Sequence, residues 1–246
     1  MSKTISLHLQ KGGIGKTTIA GTLACQSALD GVKTLLIDVD PQGNASSWFV
    51  TNELQWELSD VLQGRCYYGD SIIEATNVPN LYLIPTFGIG GSLKLYAETK
   101  ISEEPYVLQD LVFELGKDFE RIILDLSPGL SKLERSALVA SDEIITPLTP
   151  EIFSLDGLEI FIDELDKIKK NLRSPVKHER IIINSFDERI RQHKEIYQAA
   201  MEGNFEVYKY LLILLLENLK KKIQLPNCIG IEVGDSNKKL LTQLKS

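Results

Sequence analysis

The sequence predicts an α/β fold: a doubly wound, mostly parallel sheet flanked by helices. Three observations predict it. Short runs that are almost entirely apolar alternate with longer stretches of helical period, the pattern of strands covered on both faces. A glycine-rich loop joins the first apolar run to the first helix. No composition shift, internal repeat or low-complexity linker divides the 246 residues, so residues 1–246 read as one domain, with an atypical C-terminal segment from about residue 208.

Each element has its own signal. Ile5–Leu9 is a short strand, followed by the glycine-rich loop and a helix from Lys16 to Leu29. Lys33–Asp38 is a strand closed by Asp40-Pro41-Gln42-Gly43. Asp60–Leu62 and Ser71–Ala75 predict short helical pieces, and Leu81–Pro85 a strand. In Pro105–Leu115 the apolar positions 107, 108, 111, 112 and 115 line one helical face. Strands at Arg121–Asp125, Glu143–Pro147 and Arg180–Ile183 are followed by helices at Ser131–Ala140, Leu155–Leu172 and Ile190–Met201.

Composition narrows the function classes. Hydrophobic residues make up 43% and charged residues 25%, ordinary for a globular protein, which excludes disordered, collagen-like and coiled-coil chains. The longest apolar run, Tyr210 to Leu216, falls far short of the ~20 residues a membrane span requires, so no stable membrane association is expected. No signal-peptide core follows the N-terminus. Cys25, Cys66 and Cys228 are scattered without a CxxC pair, and make neither a disulfide framework nor a zinc site. The expected location is the cytoplasm. The net charge is −7 but uneven: Lys167–Ser246 holds 16 basic against 9 acidic residues, and the remainder is net −14. The basic third offers either a local patch for phosphates or solvated helix faces.

The loop Gln10-Lys11-Gly12-Gly13-Ile14-Gly15-Lys16-Thr17-Thr18 lies between strand and helix. It departs from G-x-x-x-x-G-K-[ST], because Gly12 and Gly13 are adjacent and only Ile14 separates them from Gly15. Its chemistry is legible nonetheless. Glycines let backbone N–H groups turn toward phosphate oxygens, and the following helix directs its positive end at them. Lys16 is placed to neutralise β/γ-phosphate charge and Thr17 to ligate Mg²⁺. This is a P-loop for ATP and Mg²⁺.

The additional lysine makes the loop more specific. Lys11-Gly-Gly-Ile-Gly-Lys16-Thr-Thr resembles the deviant Walker A box of the ParA/MinD class of P-loop ATPases. Leu35 to Ser46, with Asp38-Val39-Asp40-Pro41-Gln42-Gly43-Asn44, resembles the DxDPQGN box of ParA/Soj partition ATPases. Ile122 to Pro128 resembles their Walker B strand end, and Pro147–Glu151 with Leu155–Leu158 resembles the next segment. The resemblance covers roughly residues 1–203.

The resemblance implies a mechanism of positioning and charge neutralisation. Thr17 and Asp125 hold Mg²⁺, Asp125 usually through water, and Asp38 supports that shell. Asp40 orients the attacking water. Asp38 and Asp40 fall at a strand's C-terminal end, on one face by alternation, toward the ligand crevice of a doubly wound sheet. Lys11 reaches a second copy's phosphates, so ATP is sandwiched in a homodimer. The segment Asn184-Ser185-Phe186-Asp187-Glu188-Arg189 resembles the family's adenine-pocket stretch; Asn184 either reads the base edge or caps a strand end. ATP dimers of this family bind DNA non-specifically through basic C-terminal residues, for which Arg189, Arg191, Lys194, Lys220, Lys221 and Lys222 are candidates. The implied function is segregation of plasmid or chromosomal DNA on the bacterial nucleoid, with hydrolysis stimulated by a ParB-like centromere-binding protein.

The C-terminal end departs from this pattern. The family's I-P-x-(N/D) segment is absent after Tyr208. Back-translation from Tyr210 permits a neighbouring frame reading FIDPAFRK, which resembles the missing segment. The alternative is a divergent tail with Leu211–Leu216 buried as a strand or helix, and the coding DNA decides between them. Two other functions compete with partition. One is a MinD-like membrane-associated ATPase, for which Lys238–Lys245 is a short, aromatic-free helix candidate. The other is an ATP-binding switch whose dimerisation is impaired by the altered C-terminus.

Overall fold

The structure is a computed structural model that describes residues 2–50, 53–75, 78–101, 105–203 and 205–210. The expectations for Leu211–Leu216, for Lys220, Lys221 and Lys222 and for Lys238–Lys245 lie outside the described residues.

The chain runs β1 (Lys3–Leu7), α1 (Lys16–Leu29), β2 (Thr34–Asp38), α2 (Asn44–Phe49), α3 (Leu58–Leu62), α4 (Tyr68–Ser71), β3 (Ile73–Glu74) and β4 (Leu81–Ile84). It continues with α5 (Leu93–Thr99), α6 (Val107–Leu115), β5 (Arg121–Asp125), α7 (Lys132–Val139), β6 (Glu143–Leu148), α8 (Phe153–Leu172), β7 (Lys177–Asn184), α9 (Arg191–Met201) and β8 (Glu206–Tyr210). The sheet order is β3-β4-β2-β5-β1-β6-β7-β8. Every pairing is parallel except β3 with β4.

Burial on both faces explains the continuous apolar strands. β2 is buried at all five positions and β6 at all six. Leu35, Ile37, Ile122 and Leu124 face one core layer, with α6, α7 and α8. Leu36, Ile123, Ile5 and Leu7 face the other, against α1. Pro147 is tolerated inside β6 because its nitrogen, like Ile145 O, faces β1, whose pairing ends at Ile145, while the β7 pairing continues past it on the other side. The α7 start follows from S-x-x-E: the Ser131 amide donates to Glu134 Oε2 at 2.8 Å, and Leu133 N–H donates to the Ser131 hydroxyl.

The structure revises several sequence expectations. Ser71–Ala75 is not a helical piece: the helix ends at Ser71, and Ile73–Glu74 pairs antiparallel with β4 as an edge strand. Burial of Ala75 and Val78 against the α1-side core draws this segment onto the sheet. β1 ends at Leu7, because His8 and Leu9 already turn into the P-loop, where Lys11 N–H donates to Leu9 O at 2.8 Å. Helices α2 and α5 and strand β8 are additional; the helices are too short to show a period, and β8 (EVYKY) lacks the continuous apolar run of the central strands.

Candidate functional site

Five strand ends meet along the C-terminal edge of the sheet. In spatial order they carry Asp38 (β2), Asp125 (β5), the P-loop (β1), Thr149 (after β6) and Asn184 (β7). Parallel register sets Asp38 directly beside Asp125, and Leu7 on the other side of Asp125. This is the crevice outside the carboxyl ends of the strands, where the order in which strands join the sheet reverses around β1.

The P-loop is built by its glycines. Gly13 has φ +73° and Gly15, which precedes α1, has φ +91°, both in the left-handed region that a Cβ disfavours. Gly12 and Gly13 are exposed, Ile14 is buried, and Thr17 and Thr18 are half-buried in the first turn of α1. Lys16 is buried, and its ammonium donates to the carbonyls of Lys11 at 2.7 Å and Leu9 at 3.3 Å. Burial lowers its pKa, while Asp125 and Asp40 favour its charge.

The carboxylates divide into two kinds. Asp38 is completely buried and spoken for: Oδ2 accepts from the Ser46 amide and hydroxyl at 2.7 Å each, and Oδ1 from Asp40 N–H at 3.3 Å. Desolvation pushes it up to about 6 against the pull of Ser46. Asp40 Oδ1 accepts from Gln42 N–H at 2.9 Å, closing the turn at Pro41, and burial raises its pKa while the Gln42 bond and Lys16 lower it. Asp125 is different. It is completely buried, and neither carboxylate oxygen has a hydrogen-bond partner among the described residues. Desolvation and then the charge of Asp38 push it well above the usual range, and the nearby Thr17 hydroxyl and Lys16 oppose this.

Those unpartnered oxygens are the test of the metal. A buried carboxylate without partners is costly unless something cationic completes it. Among the described residues no three His, Cys, Asp or Glu side chains gather into a ready metal cage. Mg²⁺ suits this arrangement, because it takes one or two protein ligands and completes its shell with phosphate oxygens and water. Asp125 and Thr17 fit as those ligands. Asp38 sits beside them in register with Asp125, braced by Ser46.

Sequence reasoning left that brace unassigned. Thr86 N–H donates to the Ser46 hydroxyl at 2.8 Å, and the Thr86 hydroxyl to Asp38 O at 2.7 Å. Gly43 has φ +67°, and a Cβ there would meet Thr86 O and Gly88 N at 2.9 Å, so the DxDPQG turn and the loop after β4 require this close approach. Ser46 and Thr86 also line a cavity of about 730 Å³ between these segments. Their signal was position: Ser46 ends the matched box and Thr86 follows a strand end.

The remaining predicted residues are scattered around this centre. Lys11 is engaged within its own chain: its ammonium lies 2.5 Å from Glu151 Oε2 and 3.3 Å from the hydroxyls of Thr149 and Ser154. Asn184 is buried against the P-loop, with Nδ2 donating to Ile14 O at 3.0 Å and Oδ1 accepting from Ser185 N–H at 2.9 Å. Arg189 and Arg191 are exposed but paired with Asp187 and Glu195 at 2.7 Å each, while Lys194 is exposed on α9.

No helix among the described residues is long and apolar enough to cross a membrane.

The comparisons with known proteins agree with the geometry. Residues 2–178 match the family model described as an AAA domain. The chain is 36% identical over 210 residues to an uncharacterised protein of Borreliella burgdorferi, covering 84% of each chain. It is 32% identical to the chromosome-partitioning ATPase Soj of Treponema pallidum, covering 81% of this chain and 78% of that one. It is 34% identical to the sporulation initiation inhibitor protein Soj of Bacillus subtilis, covering 77% and 75%. A crystal structure of a plasmid partition protein from Borrelia burgdorferi superposes with a TM-score of 0.74 at 27% identity, over 90% of this chain and 99% of that one. Cobyrinic acid a,c-diamide synthase from Mycobacterium smegmatis, solved with ADP and magnesium, shares the fold, with a TM-score of 0.77 at 21% identity over 94% and 100% of the chains. With its deviant P-loop, its DxDPQGN turn and its parallel sheet, the chain belongs to the ParA/Soj-type family of P-loop partition ATPases.

Proposed function

We propose that this protein is a Mg²⁺-dependent ATPase whose ATP-bound homodimer binds DNA non-specifically and serves its segregation, with hydrolysis stimulated by a ParB-like partner. The observation that carries the reading is the C-terminal sheet edge, where buried Lys16 faces Asp125 and Asp40 and the Asp125 oxygens are left without a hydrogen-bond partner among the described residues. The family membership and the partition proteins among its relatives support the cellular role.

The residues divide the work as follows. The loop from Lys11 to Thr18 holds the phosphate chain with its N–H groups. Lys16 exchanges the carbonyls of Leu9 and Lys11 for phosphate oxygens. Thr17 and Asp125 would hold Mg²⁺, which would supply positive charge against the phosphate chain. Asp38 stiffens the turn that carries Asp40, and Asp40 orients the attacking water and accepts its proton. Burial raises the Asp40 pKa toward that of a better base. Lys11 completes the site on a second copy once Glu151 releases it. The DNA-binding residues proposed are Arg189, Arg191, Lys194 and Lys220 to Lys222. The protein acts in the cytoplasm, on the nucleoid.

Sedimentation of the purified protein with Mg·ATP, with ADP and without nucleotide, adding duplex DNA at two salt concentrations, tests the reading. The expected result is a dimer with ATP alone that binds DNA and releases it as salt rises. A chain that binds ATP yet stays monomeric throughout supports the second reading, an ATP-binding switch with impaired dimerisation. Lys11 held within its own protomer is the observation that favours that alternative.

A further inference from the structure

Asn184 and Ile14 are 170 residues apart, yet the Asn184 side-chain amide donates to the Ile14 carbonyl at 3.0 Å in a buried contact. The packing there is tight. A Cβ on Gly15 would stand 2.5 Å from Asn184 Nδ2, so the loop closes over this side chain and only glycine fits. The end of β7 is shaped for the contact. Ser185 has φ +58°, a left-handed conformation rare for serine, and its N–H donates to Asn184 Oδ1. That bond holds the side-chain oxygen and turns the amide nitrogen toward the loop. Backbone strain of this kind persists where the surroundings over-determine it.

A planar trans peptide has its carbonyl and its N–H on opposite sides. Fixing Ile14 O toward β7 therefore fixes the Gly15 N–H in the opposite direction, away from β7. We infer that Asn184 is a positioning residue for the P-loop: it presets the Ile14–Gly15 peptide so that the Gly15 N–H is aimed at the phosphate chain before nucleotide arrives. Its effect is on the phosphates and is independent of the base. This deepens the nucleotide reading above and rests on it. Pre-set N–H groups stabilise an anion without the cost of turning the peptide when it binds.

The test is calorimetric binding of Mg·ATP and of Mg·tripolyphosphate, a probe without a base, to the wild-type chain and to Asn184→Leu, which keeps the side chain's approximate shape and removes the donor. Both ligands are expected to bind roughly three- to tenfold more weakly to the variant, the loss of about one buried hydrogen bond. The melting temperature of the ligand-free variant reports any purely structural effect separately. Weakened ATP with unchanged tripolyphosphate overturns the inference and makes Asn184 a base reader. Unchanged affinity for both overturns it as well. A wild-type chain that binds neither ligand overturns the nucleotide reading itself. Should the variant fail to fold, the Gly15 amide resonance of the wild-type chain decides: a downfield shift on adding tripolyphosphate supports the inference, and an unmoved resonance overturns it.

Discussion

The Lys11 ammonium sits 2.5 Å from Glu151 Oε2, within hydrogen-bond reach of Thr149 and Ser154 as well. The lysine proposed to reach a second copy is thus held at the start of α8 in its own protomer. Residue 11 also offers its backbone carbonyl to Lys16 at 2.7 Å. One residue ties the loop to α8 with its side chain and to the phosphate lysine with its main chain. The ion pair holds the Glu151 carboxyl below its ordinary pKa. Ile152 and Phe153 beside it are 65% and 78% exposed.

Replacing Glu151 with Gln releases Lys11 without removing it. ATP-dependent self-association is expected at a lower protein concentration, by roughly two- to thirty-fold, since each exposed pair is weak and a dimer frees two. Sedimentation equilibrium with Mg·ATP measures this. Unchanged or weaker association would show that the pair does not restrain the dimer.

Lys16→Ala removes the buried cation that faces Asp125 and Asp40. ATP affinity is expected to drop roughly ten- to hundredfold, the value of charge-assisted hydrogen bonds to phosphate. Titration calorimetry reads it, and wild-type affinity would refute the P-loop assignment.

Asp40→Asn preserves an acceptor for Gln42 N–H, so the turn survives while the charge is lost. ATP binding is expected to persist, with turnover reduced by about 10²-fold or more. Undiminished phosphate release in a steady-state assay removes Asp40 from its proposed role.

Asp125→Asn separates stability from metal use. Asp125 is buried, and desolvation and Asp38 oppose its charge more than the nearby Thr17 hydroxyl and Lys16 favour it, so the ligand-free variant is expected to resist urea better than wild type. The same variant should lose the Mg²⁺ dependence of ATP affinity. A destabilised variant that keeps that dependence would place the metal elsewhere.

His8 gives a stability prediction with a definite sign. Its two ring nitrogens are buried without partners among the described residues, and its ring lies 5.1 Å from that of Phe161. Burial, then Lys16 and His178, lower its pKa from 6.5 to about 3; burial lowers His178 to about 4. Between those values and 6.5 the folded chain binds fewer protons than the unfolded one. Their contribution is therefore complete above pH 6.5 and is lost as pH falls toward the folded values. Asp38, raised to about 6, works in the opposite direction between about pH 4 and 6. His8→Leu should flatten the acid limb and stabilise the protein at neutral pH by about 1–3 kcal/mol. Urea midpoints measured across the acid-to-neutral range check both; an acid limb as steep as wild type would count against the assignment.

Much of the site was legible because its chemistry is local in sequence. The P-loop needs its glycines, Lys16 and Thr17 within one strand-to-helix turn, and Asp38 and Asp40 follow one strand end. The fold class was legible for a similar reason, since strands buried on both faces must be apolar throughout, as β2 and β6 are. The segment 71–75 was misread because two residues carry no usable period, and only the neighbouring β4 made Ile73–Glu74 a strand.

What the sequence determined by itself was the identity of the chemical groups: a phosphate loop, two lysines and three carboxylates. The tertiary structure decided which of them are already engaged. It gave Asp38 to Ser46, Lys11 to Glu151 and Asn184 to Ile14, and left Asp125 without a hydrogen-bond partner among the described residues. The reason is physical. The Lys11–Glu151 and Asn184–Ile14 pairings join loops and strand ends that only the sheet order brings together, the Asp38–Ser46 pairing closes the turn after β2, and desolvation makes every unmade bond costly.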